Sequence, residues 1–308
     1  MSESSDRISL ETPAKAICSV PYLLGYVPDR HLVILALSDA GRLIVTGSIE
    51  LAKARFRWPQ LPQLIANGVT KMILIGYGPA ESVTPAIDHL QALLTDCNIE
   101  VVEALRVSDG RYWLYDCDDV SCCPPEGRPI GDETSVDAAF VATGAVAAPN
   151  RESIRAYLDP APDAPAVAAV LAELKEPLGE HKGVFRRAME AADAGDLPTV
   201  HQTATLGRRL AGENGVDAAV AAIDDTAPEV DRVRLWVWLT RQLSGEYRAH
   251  AAAVCAYAAW RSGRGILAID AVELALSIQP GNHLAQIMHH ALAQALSPDS
   301  ALDTSPAP

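Results

Sequence analysis

The apolar residues of this chain change their spacing near residue 150, and this change most limits the folds that the chain can adopt. Up to about Val107, short apolar runs of strand length alternate with stretches of helical periodicity. Beyond Asn150 the strand signal disappears and alanine-rich helical patterning takes over. Alternating strands and helices predict an α/β architecture, whereas helical patterns alone predict an all-α unit. The sequence therefore predicts two different domains.

Length and composition set the expected size of these domains. The 308 residues correspond to two domains of about 150 residues each, and 49% hydrophobic residues supply enough apolar surface for buried cores. We expect an α/β domain over residues 8–150, with a mixed, partly parallel sheet and flanking helices, and a helical domain over residues 151–297. The small, polar and proline-rich residues 298–308 are expected to form a disordered tail.

Apolar runs in the first half indicate the strands, and proline and capping residues indicate where helices begin. Thr12 and Pro13 are typical of an N-cap and a first helical position, and Pro21 is expected to kink or end that helix. Thr84 and Pro85 are similarly expected to begin a later helix. The order strand, helix, strand around this later helix predicts a parallel crossover. Strands are expected at residues 31–37, 42–51, 71–76 and 99–107.

The second half is expected to be helical throughout, with glycine and proline between the helices. One segment, residues 249–282, resembles a tetratricopeptide repeat, a helix-turn-helix unit. Gly263 falls at its turn and Pro280 at its exit, while alanines and Cys255 occupy the first-helix packing positions. The segment is either a repeat-like surface that docks a partner or an ordinary helical hairpin. Helices are expected at residues 166–174, 183–194, 198–211, 215–223, 228–244, 248–262, 265–278 and 282–295.

The net charge of −14, from 39 acidic and 25 basic residues, disfavours nucleic acid as a partner. An acidic protein gains little from counterion release at a phosphate backbone. The sequence has no apolar run long enough for a membrane span, and its first residues are polar, so no secretory signal is expected. These features predict a cytoplasmic protein whose six cysteines are mostly free thiols.

Chemically reactive residue types concentrate in one segment, residues 109–137. This segment holds eight acidic and two basic residues, so its net charge is −6 and its field attracts cations. Cys117, Cys122 and Cys123 have a C-x4-C-C spacing, and zinc favours thiolates in a tetrahedral arrangement. Adjacent cysteines rarely ligate one ion, because consecutive side chains point apart, and Pro124 restricts Cys123 to an extended backbone.

Three interpretations of these cysteines remain open at the level of the sequence. They could form a zinc site, for which the neighbouring Asp118 and Asp119, or His31 or His89 from elsewhere, would supply the missing ligand. Cys117 could instead form a reversible disulfide with one member of the vicinal pair. All three cysteines could also be packed, unreactive thiols.

Motifs of several enzyme classes are missing from the sequence. It contains no G-x-x-x-x-G-K-[ST] and no G-x-S-x-G, which disfavours P-loop NTPases and α/β-hydrolases. The ligand motifs of zinc deaminases are also missing. Gly76 and Gly78 superficially resemble a dinucleotide-binding turn, but Glu81 stands where the third glycine belongs, so we interpret them as a tight turn. The sequence therefore identifies no catalytic and no cofactor-binding residue.

Three segments carry a family resemblance. They are Thr12-Pro13 leading into Val20-Pro-Tyr-Leu-Leu-Gly-Tyr-Val-Pro28 and the Leu32-Val-Ile-Leu strand, the run from Val102 to Trp113, and Cys122-Cys-Pro-Pro-Glu-Gly127 followed by Pro129. Together they resemble the actinobacterial family catalogued as domain of unknown function 4192. The resemblance spans residues 8–295 and implies a cytosolic bacterial protein in which the segment from tryptophan to the cysteines is a family trait. It implies no activity, substrate or catalytic residue.

The absence of a catalytic signature beside a repeat-like hairpin favours a non-catalytic regulatory or protein-interaction module. In this hypothesis the helical domain binds a protein partner or self-associates. The alternative is a metal-assisted or thiol-dependent enzyme that uses Cys117, Cys122 and Cys123 in the acidic segment beside the α/β sheet. Charge and thiol density in that segment motivate the alternative.

Overall fold

The computed structural model of the chain describes residues 12–54, 58, 60–117, 119–131, 140, 147–174, 183–296 and 298. Of the tail predicted at 298–308, only Pro298 belongs to these described residues, and residues 132–137 of the acidic segment lie outside them. The chain divides into two units, Met1–Arg151 and Glu152–Pro308. The first unit contains the sheet and the second is built from helices.

The described strands of the first unit form one mixed sheet. Its spatial order places the second strand at one edge, then the first, third, fourth, fifth and sixth. The third and fourth strands run parallel, and the other neighbouring pairs are antiparallel. The mixed, partly parallel sheet that the sequence predicts is therefore present. The strands are β1 (His31–Leu37), β2 (Leu43–Glu50), β3 (Lys71–Tyr77), β4 (Glu100–Ser108), β5 (Arg111–Leu114) and β6 (Arg128–Pro129).

The centre of the sheet is apolar on both faces. In β1 and β3 every residue after the first is buried, which is why these strands are continuous apolar runs in the sequence. Strand β2, at the edge, is only partly buried along its length. The helices of this unit are α1 (Pro13–Leu24), α2 (Leu61–Ala66) and α3 (Ala80–Asp96), with a short 3-10 helix at Leu51–Lys53.

One of two expectations about proline was wrong, that for α3. Helix α1 begins as predicted, with Thr12 as its N-cap, and it does not end at Pro21 but continues to Leu24. Burial of Val20 and Leu24 on either side of the proline offsets the lost backbone hydrogen bond. Helix α3 begins at Ala80 and not at Thr84, because the extended Pro79 is its N-cap and the Pro79 carbonyl accepts the first helical hydrogen bonds.

Helix α3 connects β3 to β4 and packs closely on the end of β3. A Cβ atom added at Gly76 would lie 2.2 Å from Cγ1 of Val83, a residue with no exposed surface. The glycine is therefore needed where the helix crosses the strand. Gly76 therefore belongs to β3 and not to the tight turn that the sequence suggested, whereas Gly78 follows the strand with a positive φ and lies against Leu51 and Val83.

The second unit consists of helices in its described part. Ala252 and Ala253 of one long helix pack with Ala275 and Ala285 of the next two, and small side chains of this kind allow helices to pack closely. The segment predicted as a hairpin at 249–282 lies on two of these helices, which Ser262, Gly263 and Arg264 connect. The helices are α4 (Arg151–Ala156), α5 (Ala164–Glu173), α6 (Val184–Asp193), α7 (Val200–Leu210), α8 (Gly215–Asp224), α9 (Arg232–Gln242), α10 (Gly245–Arg261), α11 (Gly265–Ile278) and α12 (His283–Ala293).

The sequence predicted these helices well from α5 onward and did not predict α4. Helix α4 has six residues, too few for a periodic apolar pattern. Among all the helices in the described ranges, none is both long and apolar enough to cross a lipid bilayer.

We expect Gly76→Ala to lower the free energy of unfolding by about 1–3 kcal/mol, because the added methyl group collides with Val83. Gly47→Ala is the matched control, since Gly47 also lies in a strand but no atom lies within 4 Å of its Cβ position. Urea denaturation followed by circular dichroism measures both variants. Equal losses in the two variants would contradict the close packing of α3 on β3.

Candidate functional site

The three clustered cysteines lie in the connection between β5 and β6, which we call the cysteine loop (residues 115–127). A tight turn at Asp109 and Gly110, both with positive φ, folds β5 back onto β4. Strand β6 then pairs with β5 through Arg111 and Pro129. The sequence analysis missed both strands, because they are short and contain charged residues and a proline. The cysteine loop is therefore the end of an antiparallel hairpin at the edge of the sheet.

The start of the cysteine loop is fixed to the sheet and to helix α3. The Tyr115 backbone N–H donates to the Ala104 carbonyl of β4 over 2.9 Å. The Tyr115 hydroxyl also forms a 2.7 Å hydrogen bond with the Thr84 hydroxyl of α3. Thr84, which the sequence suggested as a helix cap, instead holds the first residue of this loop.

The end of the cysteine loop is fixed by Trp113. The Trp113 indole N–H donates to the Pro125 carbonyl over 2.9 Å, and the Arg106 guanidinium lies 3.5 Å from the ring centroid. Gly127, with φ of +77°, packs so closely that an added Cβ would lie 2.4 Å from Cε2 of the indole. Arg111 donates to the Gly127 carbonyl over 2.8 Å. An indole with a cation over its face is a stable anchor for a loop.

Asp119 shapes the middle of the loop. Its backbone carbonyl accepts hydrogen bonds from the backbone N–H groups of Cys122 (3.0 Å) and Cys123 (2.6 Å). Its carboxylate Oδ1 accepts from the Ser121 hydroxyl at 2.7 Å and from the Ser121 N–H at 2.9 Å. These bonds, the hydroxyl first, hold the pKa of Asp119 below its usual value. The carboxylate therefore stabilises the turn that carries both cysteines.

This turn brings the sulfur atoms of Cys117, Cys122 and Cys123 together, so that all three Sγ atoms lie within 4.8 Å of one another. Consecutive side chains ordinarily point apart, but the two hydrogen bonds to the Asp119 carbonyl curl the backbone enough for both sulfurs to face Cys117. Cys122 is exposed and the other two are partly buried. All three are free thiols.

The pKa values of two of these thiols shift in opposite directions. Hydrogen bonding from Cys123, followed by the Asp119 backbone, lowers the pKa of Cys117. Hydrogen bonding to Cys117, followed by desolvation, raises the pKa of Cys123 to about 12. Of this pair, Cys117 therefore loses its proton first.

A cation stands beside the thiols. The Arg128 guanidinium lies 3.8 Å from the Cys122 sulfur and 5.8 Å from the centroid of the Tyr112 ring. Tyr112 is buried in the sheet, and this burial raises the pKa of its hydroxyl. Arg128 therefore places a positive charge on the exposed side of the cluster.

The other ligand candidates from the sequence are not part of this cluster. Asp118 lies outside the described residues. Asp119 is engaged by Ser121, and the Nδ1–H of His31, at the start of β1, donates to the Asp29 carbonyl. His89 is exposed on α3. Within the described ranges, the group of side chains close enough to share one ion consists of the three cysteines.

The donor set matches a thiophilic metal. Zinc binds thiolate sulfur at about 2.3 Å, which places the sulfurs of one tetrahedral site about 3.7 Å apart. Sulfurs within 4.8 Å of one another can reach this separation by small side-chain rotations. The lowered pKa of Cys117 favours the thiolate, which is the form of cysteine that binds a metal ion. Three thiolates and one further ligand would complete a tetrahedral ion.

A family model described as Domain of unknown function (DUF4192) matches residues 13–299. The match includes both units and the whole cysteine loop. Neither the curated proteins nor the solved structures contain a significant match to the chain.

We expect Gly127→Ala to loosen the β5–β6 hairpin more than Gly110→Ala does. Both glycines have positive φ, so both variants bear backbone strain, but only the Cβ at position 127 collides with Trp113. Hydrogen–deuterium exchange of the hairpin peptides measures the difference, and we expect faster exchange in Gly127→Ala. Equal exchange in the two variants would show that Trp113 does not anchor the loop.

Alkylation by iodoacetamide is expected to modify Cys117 at lower pH than Cys123, because the thiolate is the nucleophile and the pKa of Cys117 is lowered while that of Cys123 is raised. Cys123→Ala removes the main donor and should shift the pH profile of Cys117 upward. Cys122→Ala removes a weaker contribution and should shift it less. Mass spectrometry of each alkylated peptide across a pH series gives the profiles. Identical profiles for Cys117 in both variants would show that hydrogen bonding from Cys123 is not the main cause of the lowered pKa of Cys117.

Proposed function

We propose that this chain, which belongs to the family of Domain of unknown function (DUF4192), is a non-catalytic regulatory protein whose cysteine loop binds a zinc ion through Cys117, Cys122 and Cys123. The observation that carries the proposal is the convergence of three Sγ atoms within 4.8 Å. A sequence of C-x4-C-C spacing does not by itself produce this convergence. It depends on the turn that Asp119 closes.

The surroundings of the loop support binding of zinc without catalysis. A catalytic site ordinarily excludes water and encloses its substrate in a concave pocket. Here Cys122 is exposed, and Val120 between the cysteines keeps 67% of its surface in contact with solvent. An exposed thiolate cluster on a hairpin is better suited to bind and release an ion than to enclose a reaction. We therefore favour regulation over the metal-assisted or thiol-dependent enzyme.

The helical unit is the part of the protein that we propose docks a protein partner or a second copy of the chain. Helices α10 and α11 form a hairpin whose facing side chains are small and buried, as a tetratricopeptide-like repeat requires. Ile287 on the following helix α12 is half exposed. These features support a repeat-like interaction unit in residues 249–282.

The purified protein is expected to bind one zinc ion, and serine substitution of Cys117, Cys122 or Cys123 should weaken binding by more than the roughly 10–100-fold that loss of an outer-shell partner costs. Cys97→Ser is the matched control, because Cys97 is also a partly exposed free thiol but lies at the end of α3, outside the cluster. Titration with a competing chelator measures affinity. Replacement of zinc by cobalt should give sulfur-to-metal charge-transfer absorption.

The same samples test both parts of the proposal. Native mass spectrometry gives the number of bound zinc ions together with the oligomeric state. Zinc binding that survives all three serine variants, or that is lost equally in Cys97→Ser, would contradict the metal site. A monomer that captures no protein partner, with zinc and without it, would contradict the interaction role.

A further inference from the structure

We propose that Cys117 and Cys123 form a reversible oxidation site, in which a hydroperoxide oxidises Cys117 and Cys123 then closes a disulfide with it. This inference goes beyond the binding of zinc and holds for the metal-free protein. It starts from the distance between the two sulfurs, because the Sγ atoms of Cys117 and Cys123 belong to the cluster whose members lie within 4.8 Å of one another. Sulfurs this close need only side-chain rotations to reach the 2.03–2.05 Å of a disulfide.

Geometry selects this pair among the three thiols. Cys122 and Cys123 are consecutive, so their Cα atoms are about 3.8 Å apart, outside the range of 4.4–6.8 Å that unstrained disulfides adopt. Cys122 also lies beside Arg128, at 3.8 Å, on the exposed side of the loop. Cys117 comes before the turn at Asp119 and Cys123 comes after it, so a bond between them closes the turn without straining one peptide unit.

The opposite pKa shifts of the pair agree with Cys117 as the sulfur that reacts first. Hydrogen bonding from Cys123, followed by the Asp119 backbone, lowers the pKa of Cys117, whereas the pKa of Cys123 is raised. The electron pair of the Cys117 thiolate attacks one oxygen of the hydroperoxide, the O–O bond breaks, and water or an alcohol leaves after taking up a proton. Cys117 becomes a sulfenic acid, and the hydroperoxide is reduced by two electrons.

The second step needs no further oxidant. The Cys123 sulfur attacks the sulfenic sulfur of Cys117, the S–O bond breaks, and the hydroxyl group leaves as water with the proton of the Cys123 thiol. The product is a Cys117–Cys123 disulfide, and an external thiol reduces it by exchange. Because the two sulfurs lie within 4.8 Å of each other, the second step is intramolecular and fast relative to reaction with a thiol from solution.

The other described cysteines provide internal controls. Cys97 is a partly exposed free thiol outside the cluster, and Cys255 is fully buried. Oxidation selective for the Cys117–Cys123 pair would therefore reflect the arrangement of the loop and not exposure alone. A disulfide sulfur is a poor zinc ligand, so we expect oxidation to release zinc. This expectation rests on the proposed function, whereas the disulfide itself does not.

The test uses the full-length protein, reduced and freed of metal with a chelator, and then exposed to hydrogen peroxide. We expect the free-thiol count to fall by two, peptide mapping to find Cys117 linked to Cys123, and dithiothreitol to reverse the link. In Cys123→Ser no link should form, and dimedone should trap a sulfenic acid on Cys117. The matched control Cys122→Ser should form the link as the unsubstituted protein does.

Three results would overturn the proposal. The first is that Cys117 is oxidised no faster than Cys97. The second is that the Cys122→Ser variant fails to form the link. The third is that the Cys123→Ser variant forms a Cys117–Cys122 link as fast as the original protein forms its own link. Circular dichroism of each variant verifies that it is folded before oxidation. Failure to bind zinc leaves these measurements unchanged, because they are made without metal.

Discussion

The position of the cysteine loop depends on strand β3, which is buried on both faces at the centre of the sheet. It pairs antiparallel with β1 on one side and parallel with β4 on the other. A parallel neighbour requires a crossover, and α3 supplies it by packing Val83 directly against Gly76. Since β4 is thereby fixed, the turn at Asp109 and Gly110 determines where β5 and the cysteine loop lie.

The loop combines rigid ends with an adjustable middle. Tyr115 holds its beginning through Ala104 and Thr84, and Trp113 holds its end through Pro125 and Gly127. Between these anchors, only the turn at Asp119 holds the sulfurs together in the described loop. A change of bonding partner at sulfur therefore moves few atoms and leaves the buried centre of the sheet untouched. This separation allows the thiols to bind an ion, or each other, at little cost to the stability of the fold.

The sequence predicted the elements that long apolar patterns determine and missed those that depend on distant contacts. Strands β1 and β3 are nearly continuous apolar runs, and apolar residues outnumber the charged ones in β4, so their pattern was sufficient. Strand β6 has two residues, Arg128 and Pro129, and exists because β5 offers it an edge to pair with. Proline is also a poor guide to where a helix ends. Helix α1 continues past Pro21, because burial of Val20 and Leu24 outweighs the hydrogen bond that Pro21 cannot make. Tertiary contacts decided each of these cases.

In the site too, the sequence pattern predicted some features, and hydrogen bonds that the pattern does not show determined the others. Three cysteines in an acidic segment were evident from spacing, and the attraction of that segment for cations follows from its net charge of −6. The convergence of the Cys122 and Cys123 sulfurs on Cys117 was not evident from the sequence. It requires one carbonyl, that of Asp119, to accept two backbone hydrogen bonds. The same residue shows why charge is a poor guide to ligation. Its carboxylate is satisfied by Ser121 and contributes to the field, while sulfur atoms provide the bonds. In the zinc site that we propose, carboxylates attract the approaching ion over several ångströms and thiolates bind it. Selection among cations in this proposal therefore falls to the sulfur atoms, which favour zinc over the harder calcium and magnesium.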